Sequence, residues 1–181
     1  MIKRTLALGT ALMVLGLTVL MASAESVSIT VTAGTLSLTT DPMVLPGITL
    51  NGLDQTPATT VGDDTWNIAD GRATGAGYNV TLDTTDFATP TIETGTGNFK
   101  ISLQDADITE VGGSPTKPTS SVTALTSIPE NPAAAIKILS AAVSAGQGSY
   151  DFEPVLSLFV PGETLAGSGT ATITLTAVTG P

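Results

Sequence analysis

The side chains that most enzymes use for acid–base and nucleophilic chemistry are missing from this sequence. Its 181 residues include no histidine and no cysteine. Ser-His-Asp triads, Cys-His pairs and zinc hydrolases are therefore excluded, because each needs an imidazole or a thiolate. Two carboxylates could still hydrolyse a glycoside, but such a site needs a cleft and usually aromatic platforms for the sugar rings. With one Trp and two Tyr in the chain, we expect no enzymatic activity, no catalytic residues and no cofactor.

Acidic residues are the second group that could carry chemistry, because carboxylates on the loops of an exported domain can hold calcium. None of them has the spacing of an EF-hand loop, so we interpret them as solvated loop carboxylates and expect no metal site. The clusters are Asp63 with Asp64, Asp70, Asp83 with Asp86, and Asp105 with Asp107.

A glycine-rich segment, residues 71–77 (GRATGAG), has a superficial likeness to a phosphate-binding loop. Its glycines do not follow the dinucleotide-binding spacing, and no lysine stands at the P-loop position. The segment lies between two alternating runs, which predicts that it connects the two strands of a β-hairpin. Arg72 is expected to pair with a carboxylate such as that of Asp70, or with carbonyl groups at a strand end.

The first 24 residues predict a secretory signal peptide. Lys3 and Arg4 form a basic start, residues 6–22 carry no charge, and small residues end the run at Ala22-Ser23-Ala24. The alternative is an uncleaved membrane anchor, for which about 17 apolar residues are the lower limit. We therefore expect a secreted, extracellular domain of residues 25–181, with no membrane span after cleavage. The sequence has no lipobox cysteine and no sortase-type motif near its end, which favours non-covalent attachment at the surface.

The charge balance limits the partners of this domain. The signal region contains two basic residues and no acidic one, so cleavage would change the net charge from −10 to −12. Nucleic acids and anionic lipids are recognised by basic patches, so neither is expected as a partner. A neutral glycan, a cell-wall component or another surface protein is compatible with this charge.

Short alternating runs of β-branched and apolar residues predict an all-β fold. We expect roughly ten short strands in a two-sheet antiparallel β-sandwich. Residues 110–121 predict an exposed loop, and residues 133–143 favour a strand over a helix. The predicted strands include residues 27–32, 48–50, 65–70, 78–82, 99–103 and 170–178, with at least one more within residues 150–160.

The order of these features resembles the WxL-domain surface proteins of Gram-positive and related bacteria. Residues 66–80 are similar to that family's strand, Asp-x-Arg-like turn, Gly-x-Gly and following Trp-x-Leu motif. Residues 150–181 are similar to its closing strands. Tyr78-Asn79-Val80 stands where the family has its first Trp-x-Leu, and Leu175-Thr176-Ala177 stands where it has the second, so both motifs are degenerate.

The resemblance implies non-covalent association with peptidoglycan or with partner surface proteins. Trp66 favours a core anchor over a ligand platform, and Tyr78 could stack on a sugar. The alternative function is a structural subunit of a surface filament or layer, a homo-oligomer in which residues 27–32 pair with the open sheet edge of a neighbour. The candidate binding residues are Trp66, Asp70, Arg72, Gly75, Gly77, Tyr78 and Val80.

Overall fold

The computed structural model describes residues 28–87, 97–113, 116–130 and 134–181. The predicted signal peptide, residues 1–24, lies outside the described residues. Two units are distinguished, residues 1–31 and residues 32–181. In the first unit, the described residues 28–31 are exposed and irregular, with no strand, although a strand was predicted over residues 27–32. The apolar side chains Ile29 and Val31 of this segment are 87% and 78% exposed.

The second unit consists of β-strands, and its described residues contain no α-helix. A 3₁₀ turn, Asp105–Asp107, precedes the fifth strand. The prediction of an all-β fold is confirmed. The described residues form eleven strands: β1 (Leu36–Thr39), β2 (Trp66–Asp70), β3 (Tyr78–Thr84), β4 (Phe99–Ser102), β5 (Ile108–Gly113), β6 (Thr119–Ser120), β7 (Thr126–Ser127), β8 (Ile136–Ala141), β9 (Gly148–Phe152), β10 (Val155–Leu158) and β11 (Ile173–Thr179).

The strands form three antiparallel sheets, where two had been expected. Their strand orders are β1-β2-β9-β5, β10-β4-β7 and β11-β3-β8-β6. A single hydrophobic core takes side chains from all three sheets, which makes the arrangement sandwich-like. The second of these sheets, formed by β10, β4 and β7, is short, and residues 55–59 extend it through bridges from Gln55 to Val160 and from Ala58 to Ser157.

The alternation of the sequence explains which faces are buried. In β2, Trp66, Ile68 and Asp70 face inward and the residues between them are only half-buried. In β9, Tyr150 and Phe152 lie opposite Ile68 and Trp66 in the register and are also fully buried. Because successive strand residues point to opposite faces, this period of two places the large side chains of both strands in the core.

Three expectations are changed by the topology. The 71–77 segment is not a hairpin connection, because β2 and β3 belong to different sheets and the chain crosses between them. The predicted loop at 110–121 contains most of β5 and all of β6. The predicted strand at 48–50 is irregular, although Asn51 does turn the chain by accepting a hydrogen bond from the Leu53 N–H at 2.9 Å. The strand expected within residues 133–143 is confirmed as β8.

Candidate functional site

Asp70 and Arg72 form the strongest polar contact in the segment that carries the candidate residues. Arg72 donates from Nε to Asp70 Oδ1 and from Nη2 to Asp70 Oδ2, both at 2.8 Å. The backbone N–H of Arg72 also donates to Asp70 Oδ1 at 3.1 Å. The Asp70 side chain is 1% exposed and that of Arg72 is 15% exposed. The predicted pairing of Arg72 is therefore confirmed, and it is a two-point pair of the kind that fixes geometry as well as charge.

The same guanidinium reaches the next sheet. Nη2 donates to the carbonyl oxygen of Gly77 at 2.8 Å, and Nη1 donates to Thr179 Oγ1 at 2.5 Å. Asp70 ends β2, whereas Thr179 ends β11, so one side chain connects strands of two different sheets. We call Asp70, Arg72, Gly77 and Thr179 the inter-sheet clamp.

Electrostatics within the clamp favour the charged forms. Hydrogen bonds from Arg72 hold the pKa of the Asp70 carboxyl below its ordinary value, against the opposing effect of burial. The hydrogen bond to Asp70 correspondingly raises the pKa of the Arg72 guanidinium. The clamp is thus a paired, buried charge with its hydrogen bonds satisfied, which is a structural role rather than an open binding position.

Two glycines make the sheet-to-sheet crossing possible. Gly75 and Gly77 have φ angles of 63° and 72°, in the left-handed region that disfavours side chains. A Cβ on Gly77 would lie 2.3 Å from the carbonyl oxygen of Ala141 and 2.8 Å from that of Ala142. The carbonyl of Gly75 accepts the N–H of Ser144 at 2.8 Å. These glycines therefore allow the crossing to pack against the end of β8.

The candidate aromatic residues lie in the core. Trp66 is 1% exposed, its Nε1 donates to the carbonyl of Asp41 at 3.2 Å, and its ring meets Phe152 edge-on at 5.8 Å. The prediction that Trp66 is a core anchor is confirmed. Tyr78 and Val80 are both fully buried, so the Tyr78 ring offers no surface on which a sugar could stack.

The Tyr78 hydroxyl is buried, and it has no hydrogen-bond partner in the described part of the chain. Burial raises the pKa of this phenol well above its ordinary value, so it stays protonated. The hydroxyl lies close to Gly146, where an added Cβ would be 3.0 Å away. A buried hydroxyl without a partner is unfavourable for folding.

The acidic residues make local contacts. Asp63 Oδ2 accepts the N–H of Thr60 at 2.6 Å, and this bond lowers the pKa of the Asp63 carboxyl. Asp105 Oδ1 accepts the N–H of Ser120 at 2.6 Å. Burial, with the neighbouring Asp63, raises the pKa of Asp64. Across the described residues, no three acidic side chains converge as a metal site would require.

A groove that sequence reasoning did not anticipate lies between residues 45–50 and 164–169. Its volume is about 590 Å³. The two segments are held close by the paired backbone bonds of Gln55 and Val160, at 3.0 and 2.8 Å, and by the Gly162 N–H, which donates to Asp54 Oδ1 at 2.9 Å. The apolar side chains that line the groove include Leu45, Ile48, Leu50, Phe87, Leu158, Val160 and Leu165.

Apolar side chains also stand exposed beside this groove. Leu165, at its rim, is 80% exposed, and Val44 and Leu53, which flank the lining segment in sequence, are 78% and 68% exposed. The sequence contains a signal for this groove, because residues 44–50 place several apolar side chains beside a proline and a glycine without the regular alternation of a strand. These side chains are Val44, Leu45, Ile48 and Leu50. Where such side chains form one contiguous patch, the patch is typical of interaction sites.

Comparisons with protein-family models, with curated proteins and with solved structures find no match to this chain. In the part of the chain that the structure describes, no helix is long and apolar enough to cross a bilayer.

Proposed function

We propose that the protein is an exported, non-enzymatic surface protein that associates non-covalently with the bacterial cell wall or with partner surface proteins. The predicted signal peptide, the acidic charge and the WxL-like order of motifs support this proposal. The all-β fold is compatible with it. In the described chain, the candidate motif residues have structural roles, so the contact with a partner is assigned to a different surface.

The observation that carries the proposal is the apolar groove between residues 45–50 and 164–169. Its lining combines apolar side chains with the small and hydroxylated residues Thr49, Thr164 and Ser168. Because Trp66, Tyr78 and Tyr150 are buried, we assign recognition to apolar contacts in this groove rather than to sugar stacking on these rings. A peptide portion of the wall or a segment of a partner protein fits this chemistry better than a bare glycan strand.

Co-sedimentation with purified sacculi tests wall association directly. We expect the exported protein to pellet with sacculi, and Leu165→Ser to weaken pelleting because it removes the most exposed large apolar side chain of the groove. Val111→Ser is the matched control, since Val111 is 61% exposed on β5 and does not line the groove. If all the protein stays in the supernatant, direct wall binding is refuted. Association with a partner surface protein would then be supported if the unchanged chain and Val111→Ser capture such a protein and Leu165→Ser does not.

A second candidate function is a structural subunit of a surface filament or layer that is assembled by strand exchange. One observation favours it: residues 28–31 are exposed, irregular, and alternate hydroxyl with apolar side chains. Electron microscopy of the concentrated exported protein tests this candidate. We expect fibres that are lost when residues 25–33 are deleted, and fibres that survive this deletion would contradict the assignment.

A further inference from the structure

Among the described residues, strand β11 lies at the edge of its sheet and is hydrogen-bonded on one side, to β3. Two backbone hydrogen bonds flank this pairing, from Thr85 N–H to Thr172 C=O at 3.0 Å and from Gly180 N–H to Gly77 C=O at 3.1 Å. They show which residues of β11 direct their backbone groups toward β3. In an antiparallel pair, every second residue directs its backbone groups toward the partner strand. Even-numbered residues of β11 therefore bond to β3, and the odd-numbered ones direct their N–H and C=O groups to the free edge. Those residues are Ile173, Leu175, Ala177 and Thr179.

The sequence of this edge strand lacks the charges and prolines that protect many natural edge strands. β11 has seven residues, ITLTAVT, with no charge and no proline. Lysines, prolines and bulges are the usual protection against pairing with another chain. The register from β11 to β3 is continuous over all seven residues, so the edge is also free of a bulge.

The apolar side chains at this side of the core are incompletely covered. Ile173, Leu175 and Ala177 pack against the core but remain half-exposed. Leu36 and Leu38 of β1, the edge strand that lies next to β11, are in the same state. One more strand beside β11 would bury these side chains and satisfy the free backbone groups.

We infer that residues 28–32 of a second copy of this chain form that strand. The inference rests on the strand-exchange function proposed above and names the acceptor. The segment, SITVT, is uncharged and alternates hydroxyl and apolar residues in the same way as ITLTAVT. With Ile29 and Val31 facing the core, Ser28, Thr30 and Thr32 would face solvent, in line with the outward threonines of β11.

A second copy supplies this strand more easily than the same chain does. The backbone bonds from Gly34 N–H to Gly71 C=O, at 2.7 Å, and from Gly71 N–H to Thr35 C=O, at 2.9 Å, hold the chain in place just before β1. A two-residue hairpin turn of type I′ at Thr32 and Ala33, which would turn the same chain back, needs positive φ angles that a β-branched threonine disfavours. Because donor and acceptor are different surfaces, the association is heterologous, and it extends into a chain of subunits wherever the rotation between copies does not close into a ring.

Two variants separate the donor from the acceptor. Ala177→Pro removes an N–H at the free edge and leaves the bonds to β3 intact, which is the position an edge strand tolerates for proline. Ile29→Lys with Val31→Lys places charges on the apolar face of the donor. We expect the exported, unchanged protein to show masses above a dimer in concentration-dependent sedimentation, and each variant alone to stay a monomer.

A mixture of the two variants is the decisive sample, because each retains the surface that the other lacks. We expect an equimolar mixture to form a dimer that grows no further. Ser28→Lys with Thr30→Lys is the matched control, since it adds the same charge to the solvent face and should leave assembly unchanged. If Ala177→Pro fails to fold, Ala177→Lys tests the same acceptor, because an inward-pointing charge on an edge strand opposes pairing with another chain.

An unchanged protein that remains monomeric at all concentrations would overturn the inference, as would oligomers that persist in the Ile29→Lys, Val31→Lys variant. Fibres that need residues 25–33 but are unaffected by Ala177→Pro would keep the filament function and reject β11 as the acceptor. Pelleting of the monomeric Ala177→Pro variant with sacculi measures wall association independently.

Discussion

Replacing Arg72 by alanine should destabilise the fold more than any other single loss of charge in the described chain. The substitution removes four side-chain hydrogen bonds, two to Asp70, one to Gly77 and one to Thr179. It also leaves the Asp70 carboxylate, 1% exposed, without its counter-charge. Breaking a buried pair in this way costs about 3–5 kcal/mol. Because the Arg72 side chain is partly exposed, we expect a loss of about 3 kcal/mol.

Urea denaturation followed by tryptophan fluorescence measures this loss. Trp66 is the single tryptophan, and it lies buried at the start of the strand that Asp70 ends. Arg72→Lys keeps the charge but cannot form two parallel bonds, so we expect an intermediate loss of about 1–2 kcal/mol. In a double-mutant cycle of Asp70→Ala and Arg72→Ala, the coupling should be about 2 kcal/mol.

The reasoning fails if Arg72→Ala lowers the free energy of unfolding by less than about 1 kcal/mol. That result would place the clamp among ordinary surface ion pairs. Additive effects of Asp70→Ala and Arg72→Ala on the free energy of unfolding would also refute the reasoning, since they would mean that the Arg72 guanidinium does not stabilise the Asp70 carboxylate.

Three further outcomes follow from the same structure. Gly77→Ala should unfold the domain or cost several kcal/mol by thermal denaturation, whereas Gly52→Ala, with a similar φ of 78° in open space, should cost only about 1 kcal/mol. Tyr78→Phe should leave stability unchanged or raise it by up to about 1 kcal/mol, because the Tyr78 hydroxyl has no hydrogen-bond partner among the described residues. Tyr150→Phe should lower stability by about 1 kcal/mol, because it removes the 3.1 Å hydrogen bond from the Tyr150 hydroxyl to the carbonyl of Gln147. In an acid titration of stability, the contribution of Asp70, whose folded pKa is lowered, should be complete above about pH 4 and be lost as the pH falls through that lowered value. In Arg72→Ala, the free energy of unfolding should therefore fall less steeply as the pH is lowered than in the unchanged protein.

The strands that sequence reasoning located correctly are those with clean alternation and buried faces. Trp66–Asp70, Phe99–Ser102 and Ile136–Ala141 each place their apolar side chains at every second position or in one short run. The strand β5 has one buried residue followed by five exposed ones, so its composition is that of a loop. The strands β6 and β7 have two residues each, too few to show a period.

Strand partners could not be read from the sequence, because pairing depends on contacts between distant residues. Two strands separated by seven residues are typical of a hairpin, yet β2 pairs with β1 and β9, and β3 pairs with β11 and β8. The identity of the pair Asp70 and Arg72 was predictable, since the residues are two apart. Its reach to Thr179, 107 residues away, was not. The groove was missed because irregular segments at 45–50 and 164–169 form it, and no period marks such segments.

The clamp and the free edge of β11 are connected through Thr179. Arg72 holds Thr179 at the end of β11, and the next residue, Gly180, bonds to Gly77. An edge strand can accept another chain only while its own backbone is held extended, so the clamp should favour assembly as well as stability. Arg72→Ala should therefore raise the protein concentration needed for assembly, measured by sedimentation at a temperature where the variant is still folded. If the required concentration is unchanged, the contact between Arg72 and Thr179 does not contribute to assembly, and the rest of β11 is sufficient to accept the donor strand.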